Sequence, residues 1–245
     1  MSKELLDLVN SFDSTDLLIR HQLSGRPLPK ITEIPDEMPK IMKDRFEGVS
    51  LSTSLADMFK EIQPRVWDTQ KEAFLKDVYQ GAGMFGFVSW RWVNPLVKWL
   101  NGRKVLEVMA GRGWLAKALR EKGVEVIAID NNYRGLNSLG QVSEVEEMDA
   151  IKAVELYGNT VDIVIMSWPE PNNTAYKVLK RLHEVNPNAI LLYIGEISGC
   201  TANDKFDEHF EHIHDPSFDL VQAGYQQWHA FHDYPILGRY SEEEV

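Results

Sequence analysis

Cysteine is almost absent: the 245 residues hold one, Cys200, so no disulfide forms within the chain and the fold has to rest on a packed core. Long apolar runs are missing as well. None approaches the roughly 18 to 20 residues that a membrane-spanning helix needs, and the opening stretch MSKELLDLVNSF carries acids where a signal peptide would carry its apolar core. The expectation is a soluble, cytoplasmic protein with no membrane partner. Basic charge is also scarce. Against 37 Asp and Glu stand 26 Lys and Arg, a net of −11. That argues against free nucleic acid as a partner, because a sequence-blind grip on a phosphate backbone needs the opposite sign.

The deficit is local. Residues 1–80 carry 11 basic and 14 acidic side chains, residues 81–140 carry 9 and 4, and residues 141–245 carry 6 and 19. The last part repels phosphates and tolerates a neutral or cationic ligand, or is simply a well-solvated surface.

What is present divides the chain in two. Residues 1–80 read as a helical and irregular cover region. Leu5, Leu6, Val9 and Phe12 fall on one helical face, and Ser14 has the position of a cap for a short segment through Leu18. Pro27, Pro29, Pro35 and Pro39 then forbid a continuous helix or central strand and predict a linker or a strap laid over a surface. Thr69 and Glu72 have capping-box spacing, with Phe74, Leu75 and Val78 as the buried stripe of a helix near 69–79. Residues 81–245 read as a second unit. Short apolar runs at 104–109, 124–130, 145–148, 161–167 and 189–195 alternate with helical periods at 114–122 and 174–185, which predicts an α/β, doubly wound and mostly parallel sheet with helices on both faces. Residues 218–224 and 234–240 are expected to close the sheet as a final pair.

The first strand runs into Glu107-Val108-Met109-Ala110-Gly111-Arg112-Gly113-Trp114. Two glycines one residue apart at a strand-to-helix turn bring the backbone close to a ligand, whose polar end meets amide groups at the helix N-terminus. Gly111, Gly113 and Ala116 also satisfy the GxGxxA form of the dinucleotide fingerprint, so a nicotinamide cofactor has to be weighed. Asp130 closes the second strand, where a carboxylate can accept both hydrogen bonds of a ribose diol. Glu107 discriminates between ligands: inside an apolar strand end it repels a pyrophosphate and attracts an ammonium group.

These residues resemble the class I S-adenosylmethionine-dependent methyltransferases, whose first motif is an acid, a small-residue turn and a GxG, with a further acid ending the second strand. Met109 stands where that family commonly has another glycine. The resemblance runs from Met84 to Tyr240 and implies a seven-stranded sheet, S-adenosylmethionine as cofactor, and cofactor contacts from Gly86, Glu107, Ala110, Gly111, Gly113, Asp130, Asn131, Asp149, Ala150, Ser167 and Trp168. Asp149 falls where the family places an acid near the adenine, though an acid starting a helix is also a plain cap. Ser167-Trp168-Pro169-Glu170 falls at the reactive-site motif after the fourth strand, and Gly83 to Trp90 is placed like a flexible lid.

A sulfonium methyl group is already activated, so alignment and desolvation supply most of the catalysis. Where a base is needed, Glu196, Glu170 and His232 are the candidates by position, Glu196 first. His232-Asp233 could instead orient a substrate or make a turn. Five of the seven histidines follow residue 208, and helical spacing within 207–215 could bring Glu208 or His209 near His212; a charged outer helix face explains the run more simply, and no metal is expected. The reading is methyl transfer to a small-molecule or protein acceptor, with an inactive cofactor-binding module and a nicotinamide-dependent oxidoreductase as alternatives.

Overall fold

The computed structural model describes residues 3–11, 24–25, 30–38, 70–132, 135, 139–228 and 231–243. The expectations on Phe12, on Ser14 to Leu18, on Pro27, Pro29 and Pro39, and on the Thr69 cap lie outside the described residues.

Strands form where the apolar runs are. β1 (Val105–Val108), β2 (Val126–Asp130), β3 (Glu146–Glu147), β4 (Ile163–Ser167), β5 (Ile190–Gly195), β6 (Phe210–His212) and β7 (Tyr234–Tyr240) make a seven-stranded sheet in the order β3-β2-β1-β4-β5-β7-β6. β1 to β5 pair in parallel, and β7 runs antiparallel to both β5 and β6. β1 is buried along its whole length, as a central parallel strand covered on both faces has to be.

Alternation along the strands feeds two cores. Val105, Ile163, Ile165 and Leu192 point into one, Leu106, Val108, Val164, Met166 and Leu191 into the other. The first core takes helix α1 (Lys3–Asn10), α2 (residues 70–81), α3 (Trp90–Leu100), α4 (Trp114–Glu121) and, later in the chain, Phe218 and Val221. The second takes α5 (Ala150–Tyr157), α6 (Thr174–Val185) and α7 (Asp204–His209). Leu5, Val9, Phe74, Leu75, Val78 and Tyr79 are all buried in the first core, so the described helices of the N-terminal region pack directly against the sheet's cover.

Residues 30–38, the described part of the proline-rich segment, act as a strap with a defined task. Ser89, at the cap of α3, makes no side-chain cap bond; instead the amides of Trp90 and Arg91 donate to the carbonyls of Pro35 and Asp36, both at 2.9 Å, which satisfies two of the helix's orphan donors. Ile34 and Met38 are buried beside it, and the Met38 amide donates to Gln226 Oε1 at 2.8 Å.

The end of the sheet departs from the expected pairing. Residues 216–218 form a 3-10 turn that leads into α8 (Asp219–Gly224), and the partner of β7 is β6, within the His-rich run. The reason is visible in burial. Phe218, Val221 and Gly224 recur at helical spacing on a buried face, whereas β6 buries only Phe210 and exposes Glu211 and His212. The run 207–215 is therefore the end of a helix, a short edge strand and a loop, and among the described residues no group of three or more His, Cys, Asp or Glu could hold a metal ion. No helix among them is long and apolar enough to cross a membrane.

Candidate functional site

A cavity of 530 Å³ opens at the C-terminal ends of the parallel strands. It lies over β1 and β4, which are neighbours in the sheet although far apart in the chain, the place where a doubly wound sheet reverses its strand order and leaves a crevice. Of the residues that the family resemblance implies as cofactor contacts, Gly86, Glu107, Ala110, Gly111, Asp130, Asn131, Asp149, Ala150, Ser167 and Trp168 all line it. Gly113 does not. It is the left-handed residue (φ 81°) that starts α4, and a Cβ there would sit 2.8 Å from Val145 Cγ2, so it seats the turn on the 143–145 loop. Gly113→Ala is expected to lower stability by roughly 1–3 kcal/mol from the strained backbone and that contact, measurable by thermal denaturation.

The expected ligand-facing amides of the turn are already used. Gly111 N donates to Asp130 Oδ2 at 2.9 Å and Gly113 N to the Ala110 carbonyl at 2.9 Å. What the turn offers is shape. Met109, with φ 57°, takes the left-handed conformation that explains the glycine common at this place. Arg112, between the glycines, points away: its guanidinium donates to the carbonyls of Ala82, Gly140 and Leu139 and ties the entrance loops together.

Glu107 is the least ordinary group here. It is 2% exposed and sits on the same sheet face as Val105, the face against which α4 packs. Gly113 has no side chain to cap that helix, and the Ala116 amide near the helix start favours the ionised form of Glu107. Burial pushes its pKa up to about 8, opposed by the Arg120 charge and the Ala116 amide and assisted by the Asp130 charge. Its Oε2 is buried with no hydrogen-bond partner among the described residues, and the same holds for Ser167 Oγ. Glu107 pairs in register with Ile165 and Ser167 lies two residues beyond on β4, so both orphaned atoms face one side of adjacent strands.

Around them the cavity is lined by acidic side chains, Glu107, Asp130, Asp149 and Glu170, and by no Lys, Arg or His among the described residues. Asp130 is held by two backbone amides, Gly111 to Oδ2 and Asn132 to Oδ1 at 2.7 Å, each oxygen keeping lone-pair capacity for a ligand. Asp149 is exposed and caps α5 through the amides of Ile151 and Lys152.

The aromatic side of the cavity is tightly packed. Trp168 adopts φ 52°, its amide donates to the Ile194 carbonyl at 2.8 Å, and Phe231 meets its ring edge-on at 5.0 Å. The segment expected to be a flexible lid is built into the core: Met84, Phe87, Val88 and Ser89 are buried, and only Phe85 and Gly86 of its centre are half-buried against the cavity.

Two of the three candidate bases are not at the cavity. Glu196 is 8% exposed and engaged at both oxygens, by the His232 amide at 2.7 Å and the Cys200 amide at 3.1 Å. Burial raises its pKa, but those amides outweigh it and hold the group net below the ordinary carboxylate range. A clamped, easily ionised carboxylate fastens two loops and makes a poor base. His232 is exposed and contributes its backbone to Glu196. Glu170 alone lines the cavity, with Asn172 Nδ2 donating to it at 3.2 Å. Tyr225, Cys200 and Thr201 line it without having been singled out from the sequence as site residues; the spacing Phe218, Val221, Tyr225 is the signal by which Tyr225 could have been placed on an inward helical face.

No protein-family model and no curated protein sequence matches the chain. Solved structures do resemble it in shape, and most of them are methyltransferases. Human N-acetylserotonin methyltransferase, solved in complex with S-adenosylmethionine, is 14% identical with a TM-score of 0.40, over 82% of this chain and 64% of that one. TehB from Haemophilus influenzae is 14% identical with a TM-score of 0.39, over 68% and 67%. The mitomycin 7-O-methyltransferase MmcR is 12% identical with a TM-score of 0.38, over 78% and 62%. The fold is the α/β fold that the resemblance implies. At these values the likeness extends to no residue's role, and the matched part spans less than two thirds of the human and mitomycin enzymes.

Proposed function

We propose that this cavity binds S-adenosylmethionine and that the protein transfers its methyl group to a small-molecule or protein acceptor. The observation that carries the proposal is the pair of buried acceptors on adjacent strands, Glu107 Oε2 and Ser167 Oγ, that have no partner among the described residues, at the crevice of the sheet. An orphaned buried carboxylate is costly, and a ligand's ammonium group supplies what it lacks: charge for Glu107 and N–H donors for both oxygens. Asp130, fixed by the Gly111 and Asn132 amides, is at the end of β2, where it would hold a ribose diol. Met148, Asp149 and Ala150 line the continuation of the cavity and suit an adenine.

The cofactor, when bound, supplies a methyl group activated by the sulfonium charge. The chain's own contribution is alignment and a cavity walled by Phe85, Trp168 and Tyr225 that keeps water away from the transfer. A nicotinamide cofactor fits poorly, because its pyrophosphate would lie beside Glu107 and Asp130 with no Lys, Arg or His lining the cavity among the described residues. The same charge disfavours a nucleic-acid acceptor.

The test is incubation with methyl-labelled S-adenosylmethionine and the small-molecule and protein fractions of a cell extract. Label is expected to move to one of the two. Tight cofactor binding without transfer to any fraction would leave a binding module in place of an enzyme.

A further inference from the structure

Behind the aromatic wall lies a charge that methyl transfer as described above does not use. Asp233 is 3% exposed. Its Oδ2 accepts hydrogen bonds from Trp168 Nε1 at 2.9 Å and from the Tyr225 hydroxyl at 2.5 Å. Neutral acceptors would satisfy an indole and a phenol equally well, whereas a buried carboxylate costs several kcal/mol of desolvation. No described Lys, Arg or His forms an ion pair with it.

The direction of the phenol bond is informative. Tyr225 has one proton and spends it on Asp233, so the lone pairs of its oxygen are what it can offer to the cavity it lines. The wall is built around that oxygen. A Cβ on Gly86 would sit 2.9 Å from Trp168 Cδ1 and 3.5 Å from the Tyr225 hydroxyl, so the absent side chain at Gly86 is what leaves space beside both.

We propose that Tyr225, backed by Asp233, receives the proton of the methyl acceptor, which therefore presents an N–H or O–H group and is not a carboxylate or phosphate. The inference rests on the cofactor reading and deepens it by naming the acceptor's chemistry. As the acceptor atom forms its bond to the methyl carbon, the sulfur keeps the electron pair of the broken S–C bond. The acceptor's proton passes to the Tyr225 oxygen while the phenolic proton passes to Asp233 Oδ2. The cationic cofactor and the carboxylate are both left neutral, so charge balances, and Asp233 returns its proton to solvent after the methylated product departs. Trp168 is held in place by the same carboxylate. Tyr225 is thus a catalytic residue and Asp233 acts through it.

Three proteins test this: the wild type, Tyr225→Phe and Asp233→Asn, each checked for folding by its melting temperature. Calorimetric titration with S-adenosylhomocysteine is expected to give affinities within about threefold of one another, because neither substitution touches Glu107, Ser167 or Asp130. Rates of S-adenosylhomocysteine release are then compared for two probe sets, an aliphatic amine and a phenol against a carboxylic acid and a dialkyl phosphate, both of which are anions without N–H or O–H at neutral pH. Turnover is expected with the first set alone. kcat is expected to fall about thirtyfold or more in both variants, with KM for the probe moving much less, a split that a merely structural role would not give. Unchanged kcat in Tyr225→Phe overturns the inference, as does transfer to the acids, or transfer to neither set by a protein that binds S-adenosylhomocysteine. Failure of the wild type to bind S-adenosylhomocysteine overturns the cofactor reading itself, and calorimetry alone identifies that case.

Discussion

S-adenosylhomocysteine is expected to bind about tenfold or more tightly at pH 8 than at pH 6, and Glu107→Gln is expected to flatten that dependence. In the free protein burial holds Glu107 at about 8, against the pull of Arg120 and the Ala116 amide. Below that pH the group is mostly protonated. A ligand ammonium beside Oε2 favours the carboxylate, so binding expels a proton and affinity rises with pH, by at most tenfold per unit, until the group ionises unaided. Above about 8 the ligand's own amino group, with an ordinary α-amino pKa of roughly 8, loses its charge and affinity turns down.

The stability of the free protein carries the opposite sign. A carboxyl whose folded pKa lies above its unfolded value contributes stability that is fully present below the unfolded pKa, near 4.5, and lost as pH rises through about 8. The loss from this group is on the order of a few kcal/mol. Glu107→Gln keeps an acceptor for the Ala116 amide and removes the buried charge. Its free form is therefore expected to melt higher than the wild type at pH 9, and nearer to it at pH 6, while binding the cofactor more weakly. A variant that loses affinity and stability together at pH 9 would contradict this assignment.

Asp130→Ala is expected to cost about a hundredfold in S-adenosylhomocysteine affinity. Two hydrogen bonds from a ribose diol to a carboxylate are worth roughly 1.5–3 kcal/mol each at most, and part is recovered by water. The substitution also frees the Gly111 and Asn132 amides that Asp130 now accepts at 2.9 and 2.7 Å, so the turn loosens where the ligand lies. Asp130→Asn separates the two effects, because its amide oxygen can keep one backbone donor while the charge is gone. An unchanged dissociation constant in Asp130→Ala would remove the ribose from the end of β2.

The central part of this fold was legible because a parallel sheet covered on both faces writes itself as short apolar runs. β1, β2, β4 and β5 are such runs, and the turn after β1 carries its glycines and its acid in one contiguous stretch. β6 was not legible, since an exposed three-residue edge strand buries only Phe210 and leaves no alternation to read. The apolar content of 218–224 suggested a strand there, and only the inward recurrence of Phe218, Val221 and Tyr225 distinguishes the helix that it is from a strand. The lid expectation failed for a related reason. Glycines and aromatics at 83–90 mark a segment that bends, but the burial of Met84, Phe87 and Val88 depends on α2 and α3 packing over it.

In the site, chain position identified the residues that sit at strand ends and misjudged those whose role depends on partners from elsewhere. Glu196 follows β5 as a base could, yet its two oxygens are committed to amides at 200 and 232. The Tyr225–Asp233 bond joins α8's end to the last connection, a contact that no local pattern encodes. Glu107 was readable as an oddity, a carboxylate within an apolar strand; that its Oε2 has no partner among the described residues, on the same sheet face as Ser167, is known only from the fold.

The central claim is that the acid-lined crevice takes an ammonium-bearing adenosine ligand. Titration calorimetry of the wild type at pH 8 with S-adenosylhomocysteine and with NAD, beside the same titrations of Glu107→Gln, tests it most directly. One site for S-adenosylhomocysteine, weakened by Glu107→Gln, and no heat from NAD is the expected result. Saturation by NAD, with S-adenosylhomocysteine inert or indifferent to residue 107, would contradict it.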